Sequence, residues 1–413
     1  MAESVKTYDI AIIGGGIAGA GIARDASLRG LQVALFEKNT FGSGTSSKSS
    51  KLIHGGIRYL ETAWNALCRG YLKEAWKNFH FVFESLKESS ILEKTAPDLV
   101  KPIPLVVPIV KKTGRGPITI YAGSILYYIL ALLAGRGRMP EIFWTKKSLL
   151  KKIPALNSEE LLGGVLIWDH LTDDVRLVQA VVRSAVQAGT EAFEQTEVVG
   201  YRYEEGRGLY DVSVRQNGET RHYFSRKLID ASGPWVDKIR TLGGERYGDY
   251  LFPVAGSHIT FKKFIPYSVI LQAEDRRLFF VINIGENSRV GTTERIYEDP
   301  DALTTTEEEV DYLLRALKHY FPKISLEKKN ILSRDSGIRP LVRPPMTVPA
   351  HDISREHEIR VGPSGVIHVL GVKLTDHRRA AEEIVDALIP EFSRIYPNVP
   401  RKTLTVDRPL SQI

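Results

Sequence analysis

Residues 8–39 read "YDIAIIGGGIAGAGIARDASLRGLQVALFEKN". Ile10, Ile12 and Ile13 lie in an apolar run suited to a strand buried on both faces of a parallel sheet. Gly14, Gly16 and Gly19 then form G-x-G-x-x-G. The first glycine permits the turn, the second admits a pyrophosphate to the backbone, and the third lets helix and strand pack closely. The following helix offers free N–H groups and the positive end of its dipole to the phosphates. Residues 32–36 read as a second strand closed by Glu37, 23 positions after Gly14 (37 − 14). An acid about 20 residues on is placed to bind a ribose hydroxyl. A carboxylate there would also repel a 2′-phosphate.

The next stretch, residues 45–61, reads "TSSKSSKLIHGGIRYLE". Thr45, Ser46, Ser47, Ser49 and Ser50 make it too rich in hydroxyls for a helix interior. Hydroxyls and backbone N–H groups bind a pyrophosphate and a polyhydroxyl chain without a full charge. That composition favours a flavin dinucleotide over a nicotinamide one, with a polar surface loop as the other reading. Gly55 and Gly56 would let the backbone lie flat against a ring.

Bulk properties narrow the class little further. The 413 residues suit about two or three domains. The net charge of +7 fits an anionic small molecule, an anionic membrane surface or nucleic acid alike. Cys68 is the sole cysteine, which excludes an internal disulfide and suits a reducing compartment. Neither a signal peptide nor a Cys/His metal site is expected from the residues. No window reaches the roughly 18 to 20 unbroken apolar residues of a membrane span. Residues 118–135, "ITIYAGSILYYILALLAG", come nearest, between Lys111, Lys112 and Arg115 on one side and Arg136 and Arg138 on the other. This segment reads as a buried core helix or as one lying in a membrane interface.

Residues 61–93 carry a helical pattern whose aromatics, Trp64, Tyr71, Trp76, Phe79 and Phe83, are expected mostly in the core. Residues 97–110 are Pro-punctuated and extended. Asp173 and Asp174 are expected to cap a helix rather than to form an acid–base pair. Residues 196–226 alternate like strands, 249–293 read as further strands and 306–320 as a helix. A last strand ("GVIHVLGV") precedes a helix expected over 375–388.

Together, "GGGIAGAGIARDASLRG", "TSSKSSKLIHGGIRYLE" and "ASGPWVD" (231–237) resemble the FAD-dependent glycerol-3-phosphate dehydrogenase family, within the D-amino-acid-oxidase-like flavoproteins. "GSHI" (256–259), "GTTE" (291–294), "SGIRPL" (336–341) and "VKLTDHRRAAE" (372–382) extend the likeness over residues 7–390. The resemblance implies an α/β architecture in which a Rossmann-like FAD-binding domain with a parallel sheet interleaves with an α+β substrate-cap domain containing an antiparallel sheet. The expected division gives residues 7–95, 165–235 and 330–390 to the FAD domain and 96–164 and 236–329 to the cap, with strands 196–226 open to either. A C-terminal helical domain of longer members is expected to be absent. Segment 61–96 is longer than expected for bacterial members. The family's Gly-Gly-Lys-x-Thr-Thr-Tyr-Arg reads here with Val372, Asp376 and His377 in place of its second Gly, second Thr and Tyr. Those three changes bear on flavin-edge packing and substrate preference.

The implied reaction oxidises sn-glycerol 3-phosphate to dihydroxyacetone phosphate, by hydride transfer from C2 to flavin N5, with membrane quinone as acceptor. Alternatives are an oxidase producing hydrogen peroxide, or action on another 2-hydroxy acid or an amine. By resemblance, His258, Arg339 and Lys373 are catalytic, His258 being the first choice of base and His54 the second. Arg339 and Lys373 would stabilise developing negative charge. Arg58, Tyr59 and Arg355 are expected at the substrate, arginine suiting a phosphate through its planar fork. FAD is expected against Gly14, Gly16, Gly19, Glu37, Lys38, Thr45, Ser46, Ser47, Ser50, Leu52 and His54. Val198, Gly233, Trp235, Gly337, Gly371, Leu374 and Thr375 complete that set. The expected setting is cytoplasmic, peripheral on the inner face of the membrane, with a homodimer as a further expectation. Nucleic acid is not an expected partner.

Overall fold

The computed structural model describes residues 6–111, 116–245, 248–344 and 356–410, except the side chain of Arg58. The opening stretch forms the strand Thr7–Ile13, the helix Ile17–Leu28 and the strand Val33–Phe36. The two strands are parallel, with Ile10 beside Val33 and Ile13 beside Phe36. Alternate residues of the first strand feed two cores. Ile10 and Ile12 pack with helices Ile17–Leu28, Asp174–Gln187 and His377–Ile395, while Ala11 and Ile13 face Val212 and Val214 of a hairpin on the other side. Burial on both faces explains the nearly unbroken apolar run.

Among the described residues the first sheet has eight strands. Its path runs Glu358–Val361, Ile367–Leu370, Glu219–Asp230, Thr7–Ile13, Val33–Phe36, Glu191–Phe193. The central neighbours are parallel. Strands Thr196–Glu204 and Leu209–Gln216, left open by the sequence, join this sheet antiparallel through Glu219–Asp230.

The second sheet has ten strands among the described residues, and its pairs are antiparallel except for Ser268–Gln272 with Val100–Val110. The α/β class with a parallel and an antiparallel sheet is therefore as expected. Two strands differ from the expected division. Leu161–Thr172 and Ser333–Val342 hydrogen-bond in the second sheet, so the boundary at 165 falls inside a strand and 330–342 pairs with Leu251–Lys262. The short strand Leu52–Ile53 also joins the second sheet, carrying the hydroxyl-rich loop across from the first. Pro102, Pro104 and Pro108 are tolerated in Val100–Val110 because alternate residues of a strand direct their N–H groups to one side. The antiparallel partner on its other side is registered along almost the whole strand.

The helical pattern at 61–93 resolves into Ile57–Cys68 and Leu72–Thr95, broken at Gly70, whose φ is +81°. The expectation that their aromatics are mostly core is corrected for Trp64, Tyr71 and Trp76, which are exposed. The helix Pro117–Leu133 is likewise no core helix. It buries Tyr121, Ser124 and Tyr127, while Ile118 is 82% exposed and Leu133 69%. Asp173 caps Asp174–Gln187 by accepting from Arg176 N at 3.2 Å, a contact contributing about 1 kcal/mol. Asp174 itself is buried and holds the hydroxyl-rich loop through Ser49 Oγ, at 2.6 Å, and Lys51. The last helix runs to Ile395 despite Pro390, because Ile389 and Phe392 remain buried in the first core.

Candidate functional site

A cavity of about 970 Å³ is lined from both sheets. One end is the turn after Thr7–Ile13. Gly14 has φ +102°, and a Cβ there would lie 2.7 Å from Ala231 O. Only glycine suits both conditions. A Cβ on Gly19 would lie 2.0 Å from Gly14 O, so this third glycine supports the turn from behind while Gly14 and Gly16 line the cavity. Glu37 is fixed by backbone donors, accepting from Gly15 N and Asn39 N at 2.8 Å each. Ser46 Oγ accepts from Ile17 N at 3.0 Å, at the helix N-terminus where an anion is favoured.

The hydroxyl-rich loop behaves unevenly. Thr45 lines the cavity and donates to Ile338 O at 2.8 Å. Ser47, expected against the cofactor, instead donates to Ser43 O and Gly44 O and closes its own turn. Lys38, Leu52, His54, Val198, Gly233 and Trp235 all line the cavity, as do Gly337, Gly371, Leu374 and Thr375. A Cβ on Gly337 would lie 2.5 Å from Lys48 Cβ, which explains the glycine where strand and loop meet. His54 N donates to Thr375 Oγ1 at 3.3 Å, tying the loop to the start of the last helix.

His258, Arg339, Lys373 and Tyr59 also line this cavity. Arg339 donates to Thr292 Oγ1 at 3.0 Å and lies 3.5 Å from Glu294. Lys373 Nζ sits 4.0 Å from the Phe81 ring centre and 5.2 Å from that of Tyr59. Cation–π attraction helps to hold the ammonium there. His258 is buried, with Nε2 3.0 Å from Ser50 Oγ. Burial, followed by the charges of Arg289, Arg339 and Lys51, pushes its pKa well below the ordinary value. The ring is thus neutral near neutral pH and able to accept a proton. Arg58 occupies the first turn of Ile57–Cys68, but its side chain lies outside the described part, and Arg355 lies outside the described residues.

Two further groups at the cavity escape a sequence reading. Asp169 is buried and its pKa is pushed up to about 7, chiefly by burial. It accepts from Tyr127 Oη at 2.6 Å and from Gly55 N at 3.3 Å, so a polar pair stands directly beneath the Gly55–Gly56 turn. The available signal is an acid inside the apolar run "VLIWDHL". Phe81 gives no such signal, because it is one aromatic among several on a helix. The three departures in the 371–378 segment also separate. Val372 lines the cavity, whereas Asp376 accepts from Ser85 Oγ at 3.1 Å and His377 packs under Gly21 of the first helix.

These residues fit a flavin dinucleotide. The glycine turn leaves room that a Cβ would fill, a helix N-terminus faces it, and Glu37 is fixed at the end of the second strand. The same cavity continues to His258, Arg339 and Lys373.

Comparison with known proteins agrees with this geometry. Residues 9–374 match the family model described as FAD dependent oxidoreductase. The chain is 34% identical to an aerobic glycerol-3-phosphate dehydrogenase of Staphylococcus haemolyticus, over 98% of this chain and 71% of that protein. It is also 34% identical to one of Bacillus subtilis, over 92% and 66% respectively. A solved glycerol-3-phosphate dehydrogenase from Bacillus halodurans, complexed with FAD, superposes with a TM-score of 0.75 at 29% identity, over 97% of this chain and 67% of that one. An L-alpha-glycerophosphate oxidase from Mycoplasma pneumoniae, at 20% identity and a TM-score of 0.65, shares the fold.

Proposed function

Because this chain belongs to the family of FAD-dependent oxidoreductases, we propose that it oxidises sn-glycerol 3-phosphate to dihydroxyacetone phosphate. The observation that carries this reading is one continuous cavity, running from the glycine turn to the buried imidazole of His258, with Arg339 and Lys373 on its wall. Bound FAD supplies the acceptor for the hydride leaving C2. Gly14, Gly16, Glu37, Thr45 and Ser46 hold the dinucleotide by backbone approach, helix dipole and hydroxyl contact. His258 takes the proton of the C2 hydroxyl. Arg339 and Lys373 hold negative charge on the substrate and on the developing alkoxide, and Tyr59 shapes the wall beside Lys373. Arg58 and Arg355 are assigned to the phosphate by resemblance alone.

Anaerobic addition of glycerol 3-phosphate to the FAD-loaded protein is expected to bleach the flavin absorption, while plain glycerol leaves it unchanged. Equal bleaching by both compounds would remove the phosphate from the argument. Bleaching by neither would remove the substrate and leave the fold.

The electrons are assigned to a membrane quinone, with the protein resting on the bilayer surface. None of the described helices is long and apolar enough to cross a membrane. Support comes from Trp64, Tyr71, Leu72 and Trp76, exposed on two helices and the turn between them, the helices packing with Pro117–Leu133, itself exposing Ile118, Ile129, Leu132 and Leu133. Such a surface of aromatic and aliphatic side chains suits the headgroup boundary. The basic flank contributes less than its sequence promises, because Arg136 and Arg138 each lie 3.0 Å from Glu93. The protein is expected to float with phosphatidylglycerol vesicles. The double variant Trp64→Ala, Trp76→Ala should stay in the soluble fraction yet still be bleached by substrate. Undiminished flotation of that variant would locate the contact elsewhere.

A further inference from the structure

Three side chains from three separate segments stand in series, the first two at the cavity wall. Ser50 Oγ lies 3.0 Å from His258 Nε2, and His258 Nδ1 lies 3.8 Å from Asp335 Oδ1. Ser50 and His258 both line the cavity. His258 and Asp335 are direct partners across the antiparallel pair Leu251–Lys262 and Ser333–Val342. Asp335 cannot rotate freely, because Arg289 on the neighbouring strand Asn287–Gly291 grips both its oxygens at 2.6 and 2.7 Å. Arg289 Nε donates in turn to Ser49 O at 3.2 Å, fixing the carboxylate relative to the loop that carries Ser50.

His258 Nδ1 is a buried atom with no hydrogen-bond partner among the described residues. Buried polar atoms are seldom left so, and a group placed that way needs an explanation. At 3.8 Å the carboxylate is beyond hydrogen-bond range but within ion-pair range. A ring that was only structural would gain by closing that gap. A ring that changes charge during turnover is served by a carboxylate that strengthens its hold when the charge appears.

We propose that Ser50, His258 and Asp335 form a proton relay for the alcohol oxidation, with Ser50 passing the proton and Asp335 positioning and stabilising the imidazolium. The inference rests on the reading that His258 is the base for the C2 hydroxyl, and adds that the proton reaches it through Ser50 rather than directly. In the step, the substrate O–H bond breaks and its proton passes to Ser50 Oγ. The proton already on Ser50 moves to His258 Nε2. The electron pair of the C2–H bond leaves as hydride to the flavin acceptor of the established family chemistry, and C2 becomes a carbonyl. Ser50 ends neutral and His258 ends cationic with Nδ1–H toward Asp335. Ser50 touches substrate in this scheme and is catalytic, whereas Asp335 acts through His258 and is a positioning residue.

The charges around the ring come from every element packed against it. Lys51 stands on the loop, Arg289 on one neighbouring strand, and Arg339 with Asp335 on the other. Lys51 is paired with Asp174, and Arg339 lies 3.5 Å from Glu294. Asp335 is therefore the carboxylate that faces the imidazole directly. Removing its charge lowers the basicity of His258 further. The acid limb of the rate profile must then move to lower pH while the plateau falls, since a weaker base transfers the proton more slowly.

The test compares Ser50→Ala, Asp335→Asn and His258→Asn as FAD-loaded proteins. The anaerobic bleaching rate is measured from pH 3.5 to 9, so that the acid limb of a base held well below its ordinary value falls inside the range, and the imidazole ¹⁵N shifts are recorded, with His258→Asn identifying the signal. Ser50→Ala and Asp335→Asn are each expected to slow bleaching about 10- to 100-fold at saturating substrate, below the full range for general-base catalysis. Asp335→Asn alone should move the acid limb down. The wild-type ring should show the Nδ1–H tautomer. A uniform fall without a limb shift would make Asp335 merely structural and overturn the relay, as would an Nε2–H tautomer. Wild-type rates in both relay variants with a slow His258→Asn would end the relay but keep the base. A wild-type rate in His258→Asn would end the reading beneath it.

Discussion

Gly14→Ala is expected to give a folded protein that purifies without the yellow of bound FAD. Gly14 combines a φ of +102° with a would-be Cβ 2.7 Å from Ala231 O and 2.8 Å from Ser232 Cα. The obstructing atoms are backbone of the segment following a central strand, so no side-chain rotation relieves them. A residue forced into this region carries about 1–3 kcal/mol of strain. Relief requires the turn to shift out of the position that receives the dinucleotide. A loss of about 100-fold in FAD affinity corresponds to roughly 2.7 kcal/mol, within reach of strain and displacement together. Gly30→Ala is the control. Gly30 also has a positive φ, +87°, but nothing lies within 4 Å of its would-be Cβ. It should cost stability, about 1 kcal/mol, and leave the FAD content unchanged. FAD titration by fluorescence quenching, with circular dichroism to confirm folding, decides the matter. Equal affinity in Gly14→Ala and wild type would show that the turn does not set the dinucleotide's place.

The second large effect concerns stability. Arg378→Met is expected to destabilise the protein by about 3–5 kcal/mol, because it leaves Glu88 buried without its cation. Arg378 Nε donates to Glu88 Oε2 at 2.7 Å, and both side chains are almost wholly enclosed. Burial pushes the Glu88 carboxyl up, and Arg378 answers it, drawing on Glu382 at 2.8 Å as well. The pair fastens the last helix to Leu72–Thr95. The double variant Glu88→Met, Arg378→Met should recover most of the loss, since apolar groups of similar volume can replace a buried ion pair at little net cost. Urea unfolding of the two variants measures this. A double variant as unstable as the single one would mean that Arg378 acts mainly through Glu382 or Thr405.

That pair also alters how the 371–378 segment is read. Three departures from the family pattern raise a question of substrate preference when the segment is viewed as a string. In the fold, only Val372 faces the cavity, while Asp376 and His377 turn toward the helices behind it. Burial pushes His377 down to about 4, which suits a neutral ring packed under Gly21 and donating to Leu374 O. The substitutions belong to packing between helices, apart from one apolar contact with the site.

The sequence by itself determined the glycine turn, the two parallel strands beside it, the acid at Glu37 and the cap at Asp173. Each is legible because its cause is local: a positive φ, a strand period or a cap involves residues a few positions apart. The family likeness likewise named His258, Arg339 and Lys373, which the fold brings to one cavity. Only the tertiary structure decided which partners these groups have. Ser50 meets His258 across 208 positions, and Glu88 meets Arg378 across 290. It also turned Ser47 back into its own loop and left Trp64 and Trp76 in solvent. The physical reason is common to all of them. A side chain's type fixes what it can donate, accept or bury, whereas its partner is set by sheet register and helix packing, and these depend on segments far apart in the chain.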